Sequence, residues 1–392
     1  MFDFNYYTPT RVVFGRGSEN KTGALVKGCG CKKALLHYGG QSAKRTGLLD
    51  TVKRSLDEQG VEYVELGGAV PNPRLSLVRE GIELVKREGV DFILAVGGGS
   101  VIDSGKAIGY GAANDGDVWD FYEHTRTPER CLPIGVVLTI SASGSEMSNS
   151  SVITKDEGGI KRGCNCDVSR PVFAVMNPEL TMTLPAYQTA CGCADILMHT
   201  MERYFTNGGN MEITDSIAEA LMRTVMANAL ILRDHPDDYD ARAEIMWAGS
   251  LSHNGLTGCG NDGGDFASHG LEHELSGMFD VAHGAGLTAV WGSWARYVFK
   301  NCLPRFERFA VSVMGVQPGK TAEETAVSGI AAMEAFFKSM GLPVSLRGLS
   351  IDPTESQLAE MAKKCATAAN GSKGSAKKLY EKDMLAIYTA AL

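Results

Sequence analysis

The sequence predicts two domains of different class: a mostly parallel sheet wound with helices over residues 1–178, followed by an all-helical half over 179–392. Three observations carry that expectation. A chain of 392 residues is longer than one core usually fills. As far as Asn177, short β-rich runs alternate with amphipathic helical stretches. Beyond Pro178 the apolar pattern takes a helical period almost throughout, with no internal repeat.

In chain order the strand candidates are RVVFG (11–15), KALLHY (33–38), EYVEL (62–66), DFILAV (91–96), PIGVVLT (133–139) and PVFAVM (171–176). Several are apolar along their whole length, as strands buried on both faces must be. Between them, SLVREGIELVKREG (76–89) lines up Leu77, Ile82, Leu84 and Val85 on one helical face. The second half offers CGCADILMHTMERYF (191–205), ITDSIAEALMRTVMANALILRD (213–234) and a further helix around 323–340. A cleft between two such halves is the expected ligand site.

Composition narrows the classes of function. Apolar residues make up 44% and charged residues 21%, the balance of a soluble globular protein. A net charge of −8, with no long run of like charge, excludes the basic footprint of a nucleic-acid binder and points to small-molecule partners. No stretch is apolar for the 18 or so residues of a membrane span, and MFDFNYYTPTRVVFG lacks the layout of a signal peptide, so a cytoplasmic protein is expected. The ten cysteines then read as reduced structural thiols. Their C-x-C pairs, Cys29/Cys31, Cys164/Cys166 and Cys191/Cys193, have the wrong spacing for a zinc knuckle.

Three strand ends carry turn chemistry. After DFILAV come Gly97, Gly98, Gly99 and Ser100, then a helical pattern with Asp103 and Lys106. Glycine admits close backbone approach, and the amides of the following helix attract phosphate, although a plain strand-to-helix turn reads the same. After PIGVVLT, the run LTISASGSEMSNSS offers the hydroxyls of Thr139, Ser143 and Ser145 to a phosphate or a nicotinamide amide, or else to its own helix cap. After KALLHY, Gly39, Gly40, Gln41 and Ser42 stand where a dinucleotide fold often has an acid for the ribose hydroxyls. With no acid there, NADP(H) is expected over NAD(H).

Histidine is concentrated in two places. Asp195 and His199 are four apart on a helix, so both side chains project from one face. His269 and His273 form a second such pair, and His283 follows beyond Ser276-Gly277, where the helix is expected to break or turn. These are five candidates for about four places on one divalent ion, Fe²⁺ or Zn²⁺, and the lack of nearby thiolates argues against a closed structural zinc site. An Asp–His hydrogen bond without metal is the competing reading of each pair.

In order along the chain, PNPR (71–74), GGGSVIDSGKAIG (97–109), SASGSEMS (141–148), FAVMNPELTMTLP (173–185), D-x-x-x-H at 195 and 199, and H-x-x-x-H at 269 and 273 with His283 together resemble the iron-containing alcohol dehydrogenase family, in particular its butanol-dehydrogenase-like branch. The resemblance implies an N-terminal dinucleotide-binding α/β domain and an all-α C-terminal domain, the dehydroquinate-synthase-like architecture, in a homodimer. It implies metal ligation by Asp195, His199, His269 and His283, with His273 beside the reacting centre as a catalytic proton relay. It assigns cofactor contacts to the turns at 39–42 and 97–100, to Asp103 in the helix that follows, and to Thr139, Ser141 and Ser143, where relatives often have Ala-Thr-Gly. GGQS at 39–42 is similar to the family's NADP-preferring turn. The implied reaction is hydride transfer between NADP(H) and an aldehyde or primary alcohol on a metal Lewis acid. The alternatives are a polyol dehydrogenase, a dehydroquinate-synthase-like lyase, or a non-catalytic nucleotide- and metal-binding protein.

Overall fold

The computed structural model describes residues 1–392, and the chain divides into two units, Thr8–Thr183 and Leu184–Leu392 together with Met1–Tyr7. The division therefore lies a few residues beyond the position expected from the change of pattern. The first seven residues also belong with the helical unit, where the Phe2 N–H donates to the Gly260 carbonyl at 2.9 Å.

In Thr8–Thr183 every expected strand forms: β1 (Arg11–Phe14), β2 (Lys33–Tyr38), β3 (Glu62–Leu66), β4 (Phe92–Gly97), β5 (Ile134–Leu138) and, last in the chain, β8 (Phe173–Met176). They make one parallel sheet in the order β1-β8-β5-β4-β2-β3, with Ala34 opposite Phe92 and Ile93 opposite Ile134. β4 and β5 are buried at every position, which explains their unbroken apolar sequence. On one face Leu36, Val52, Leu94 and Val137 pack around Phe92, whose ring stacks on Phe173 with centroids 5.9 Å apart. The chain steps outward from β2 to β3, returns to the other side of β2 as β4, and continues through β5. That reversal opens a crevice at the carboxyl ends of β2 and β4, where wound sheets bind nucleotides.

A two-stranded antiparallel ribbon, β6 (Ser150–Lys155) and β7 (Ile160–Asn165), was not expected. Its turn is closed by Gly158 and Gly159, at φ 81° and 57°, values that glycine adopts without strain. The ribbon leans on the helix Gly99–Ala113, since Val152 N–H donates to Asp103 Oδ2 at 2.9 Å.

One histidine of this unit is pure core. His37 on β2 is fully buried; its Nδ1–H donates to the Leu66 carbonyl at 2.9 Å and Nε2 accepts from the Ser104 hydroxyl at 2.5 Å. Burial pushes its pKa from 6.5 to about 4, against a weaker upward pull from the Leu66 hydrogen bond. The unfolded chain then binds the proton more readily. Stability is complete above pH 6.5 and is withdrawn as the pH falls towards 4, with roughly 2 kcal/mol lost by pH 5. Urea unfolding at pH 7 and pH 5 should show a larger acid loss for the wild type than for His37→Gln; equal losses would contradict the assignment.

The second unit is all helix. It includes Ala186–Tyr204, Glu212–Asp234, Tyr239–His253, Ala267–Phe279, His283–Val298 and Ala322–Ser339. Its core is rich in aromatics: Phe205 stacks on Phe306 at 4.1 Å, and Trp291 and Trp294 are fully buried beside them. Ser276-Gly277 does not break its helix, as the sequence had suggested. Asp280 N–H still reaches the Ser276 carbonyl at 2.9 Å, and the chain turns only at Asp280, φ 52°. Ala282 is extended and the next helix opens on His283 itself. Gly284 brings that helix close to its neighbour, because a Cβ there would lie 2.1 Å from the Cys191 carbonyl oxygen. No helix of either unit is long and apolar enough to cross a membrane.

Candidate active site

In the α/β unit, Gly98 caps the helix Gly99–Ala113 and supplies no side chain to its first turn, which leaves the first-turn amides without a side-chain cap, as an anion site requires. The turn demands glycine. A Cβ on Gly98 would meet Ile140 at 2.9 Å, and one on Gly99 would meet Ser143 Oγ at 2.4 Å. These clashes also show that the second turn abuts the first: Ser143 sits half-buried against Gly99, and Thr139 N–H donates to the Gly97 carbonyl at 3.1 Å. Ser141 is buried, its hydroxyl without a hydrogen-bond partner. At the end of β2, Gly39 is half-buried while Gly40, Gln41 and Ser42 are exposed.

Asp103 and Lys106, whose direction the sequence left open, turn inward. Lys106 is fully buried, and its Nζ donates to the carbonyls of Ser145, Ser148 and Ser150 at 2.8, 2.9 and 2.7 Å. Asp103 Oδ1 accepts from Ser145 Oγ at 2.6 Å while Oδ2 holds the ribbon. Burial lowers the Lys106 pKa to about 8 and raises that of Asp103, each partly countered by the other's charge. The pair acts as an internal clamp that gives the serine-rich turn its shape. Ser145 belongs to this clamp, and both oxygens of Asp103 are engaged within the unit.

In the helical unit, four of the five metal candidates converge. Asp195 Oδ1 lies 3.4 Å from His199 Nδ1, 3.6 Å from His269 Nε2 and 3.6 Å from His283 Nε2. Asp195, His199 and His269 form a buried group whose ligand atoms all lie within 4.8 Å of one another. Asp195 Oδ1, His199 Nδ1 and His269 Nε2 are shielded from solvent yet have no hydrogen-bond partner. Three orphaned polar atoms facing one point would be costly unless a cation joined them. A tetrahedral shell with bonds of about 2.1 Å has edges of about 3.4 Å, so these separations fit a divalent ion with nitrogen and oxygen ligands. His283, with 28% of its side chain exposed, marks the open side of the set. His273 is half-buried and lies outside it, its ring centroid 6.3 Å from that of His269 and 5.9 Å from that of His283.

Electrostatics agree with a cation site. Burial drives the His199 pKa well below its usual 6.5, with His253 and His269 adding to the effect. Burial lowers His269 too, but Glu202 and Asp195 overcome it and raise the pKa to about 9. The carboxylates therefore favour positive charge at His269, while His199 is kept neutral, with a nitrogen lone pair available to a cation.

Two carboxylates escaped the sequence reading. Glu202 and Glu272 are both 0% exposed. Glu202 accepts from His269 Nδ1 and, at 3.1 Å, from the His269 backbone N–H. Glu272 accepts from His283 Nδ1 and from the Ser276 hydroxyl. The signal was present in the spacing, since Glu202 follows Asp195 by seven residues and His199 by three, and Glu272 follows His269 by three. His253, at the end of the helix Tyr239–His253, packs its ring edge-on against His199 with centroids 4.0 Å apart.

Comparison with known proteins covers both halves. The family model described as iron-containing alcohol dehydrogenase matches residues 9–178, and that described as Fe-containing alcohol dehydrogenase family, C-terminal, matches 189–392. NADH-dependent butanol dehydrogenase A of Clostridium acetobutylicum is 39% identical over 389 residues, 99% of each chain. The NADPH-dependent aldehyde reductase YqhD of Escherichia coli is 35% identical over 356 residues, 90% of each chain. The crystal structure of NADH-dependent butanol dehydrogenase A from Thermotoga maritima superposes with a TM-score of 0.96 at 39% identity, covering 100% of this chain and 99% of that one. With both family models matched and relatives alike along its whole length, the chain belongs to the iron-containing alcohol dehydrogenase family of oxidoreductases.

Proposed function

We propose that the protein interconverts aldehydes and primary alcohols by hydride transfer with NADP(H), using one divalent ion, Fe²⁺ or Zn²⁺, held by Asp195, His199, His269 and His283. The observation that carries this reading is the convergence of one carboxylate and three imidazole nitrogens at 3.4–3.6 Å, three of the four atoms having no other partner. A bound divalent ion supplies Lewis acidity towards the substrate oxygen, and the nicotinamide supplies or accepts the hydride. The protein's own groups do the rest. Amides of Gly97–Ser100 hold the pyrophosphate, Thr139 and Ser143 orient the nicotinamide, and the Lys106 clamp keeps their turn in register. His273 passes the proton between substrate oxygen and solvent. Ten free thiols suit a reducing compartment, in keeping with a cytoplasmic enzyme.

The preference for NADP(H) rests on the turn after β2. Gly40 is exposed, a Cβ there would meet nothing, and Lys44 and Arg45 follow on the surface. Glu65 on the neighbouring strand is paired with Lys53 at 2.7 Å and accepts from Tyr38 at 3.1 Å, so its charge is already countered. Similar relatives carry both NADH and NADPH in their names. An aldehyde and alcohol panel run with both cofactors on metal-defined protein tests activity and preference together. The expected result is turnover of simple aldehydes with a higher kcat/KM for NADPH. Gly39→Asp should weaken NADPH more than NADH, because a carboxylate repels a 2′-phosphate. A wild-type kcat/KM that is higher with NADH would overturn the cofactor assignment.

A further inference from the structure

We propose that Glu202 and Glu272 are positioning residues for the metal: each fixes one ligand histidine in the tautomer and ring angle that coordination requires. The proposal rests on the metal reading above and adds two residues that do not touch the ion. An ionised carboxylate only accepts hydrogen bonds, so His269 and His283 must each carry their proton on Nδ1, where Glu202 and Glu272 receive it. In the neutral rings that coordination requires, the lone pair is then on Nε2 of both. Those are the nitrogens lying 3.6 Å from Asp195 Oδ1.

The carboxylates are themselves held. Glu202 also takes the His269 backbone N–H, so side chain and backbone of one ligand are anchored to the helix that bears Asp195 and His199. Its carbonyl receives Asp265 N–H at 2.7 Å, while Asp265 Oδ1 accepts from Ala267 N–H at 3.1 Å at the start of the His269 helix. Glu272 is braced by Ser276 one turn later and reaches across the Asp280 turn to the first residue of the next helix. Ser276 therefore has work that its position in an uninterrupted helix did not suggest. His199 has no such carboxylate; its ring packs against His253 and His269. The two ligands from the 267–298 region thus carry carboxylate supports, whereas the pair on the Asp195 helix shares the geometry of one helical face.

Buried negative charge behind each imidazole does two things. It makes the ring a stronger donor, and it offsets the charge of a divalent ion in a largely buried site. Glu202→Gln and Glu272→Gln keep the volume but remove the charge, and the new amide can donate to Nδ1 and so stabilise the wrong tautomer. Full-length variants, stripped of metal, are to be titrated with Zn²⁺ and with Co²⁺ in competition with a chromophoric chelator. Thermal melting of the metal-free proteins and NADPH binding serve as controls.

Each variant is expected to bind Zn²⁺ about 10- to 100-fold more weakly than wild type. The visible Co²⁺ spectrum should change, while NADPH binding is retained. Ser276→Ala, which loosens Glu272 without discharging it, is the milder third variant and keeps the test open should either glutamine variant fail to fold. It should alter the Co²⁺ spectrum with the metal-free melt held near wild type. Zn²⁺ affinity less than tenfold changed in the folded glutamine variants, or a wild-type Co²⁺ spectrum in Ser276→Ala if neither folds, would overturn the proposal. Should the wild type itself bind no divalent ion, the metal reading fails instead, and the two failures are distinct.

Discussion

His269→Ala loses most of its bound metal and nearly all turnover while remaining folded. The substitution removes one of the four proposed donors, and the loss should exceed the roughly 100-fold cost typical of an outer support. It also strips Glu202 of its imidazole partner, leaving a fully buried carboxylate with the His269 backbone N–H as its remaining hydrogen bond at this position. The metal-free variant should therefore be less stable than metal-free wild type by about 1–3 kcal/mol, a cost that a helical unit with so large a core can absorb. Elemental analysis and circular dichroism check the two halves of the expectation. Full metal occupancy in the variant would remove His269 from the ligand set.

His273→Ala and His273→Gln should behave in the opposite way. The ring lies beside His269 and His283 but outside the group whose atoms converge, so metal content and NADPH binding should stay near wild type. Turnover should fall by roughly 10²–10⁴-fold, the usual contribution of a positioned proton carrier, and the pH profile should shift. Metal loss in parallel with activity would mean that His273 only supports the site or joins the ligands. Kinetics unchanged across the pH range would remove it from the mechanism.

Much of this was legible in the sequence for local reasons. Strands buried on both faces have no choice but to be apolar, so β4 and β5 announce themselves. The glycine turn after β4 and the i,i+4 pairs at 195/199 and 269/273 are also short-range patterns. What was not legible depends on partners distant in the chain. The β6–β7 ribbon has mixed burial and an ordinary Gly-Gly turn, and it is stabilised by Asp103, almost fifty residues earlier. The direction of Lys106 stays open until the serine carbonyls that surround it are folded into place. Ser276-Gly277 resembled a stop because glycine weakens a helix, but the cost is only about 1 kcal/mol, which neighbouring packing can offset. Glu202 and Glu272 were passed over because acidic residues three from a histidine are common on solvated helices. Only burial distinguishes these two.

The contact between Gly284 and the Cys191 carbonyl has a bearing on engineering. The spacing between the Asp195 helix and the helix that begins at His283 is gauged by a side chain that is not there. A single methyl at position 284 would have to push the two apart, carrying His283 away from Asp195 with every coordinating group still in place. A variant library meant to enlarge the substrate pocket would score such a change as harmless, since it alters no ligand and adds no charge. Position 284 is better treated as part of the frame of the proposed metal site and left alone, with diversity spent on residues that do not set the gauge between the two helices.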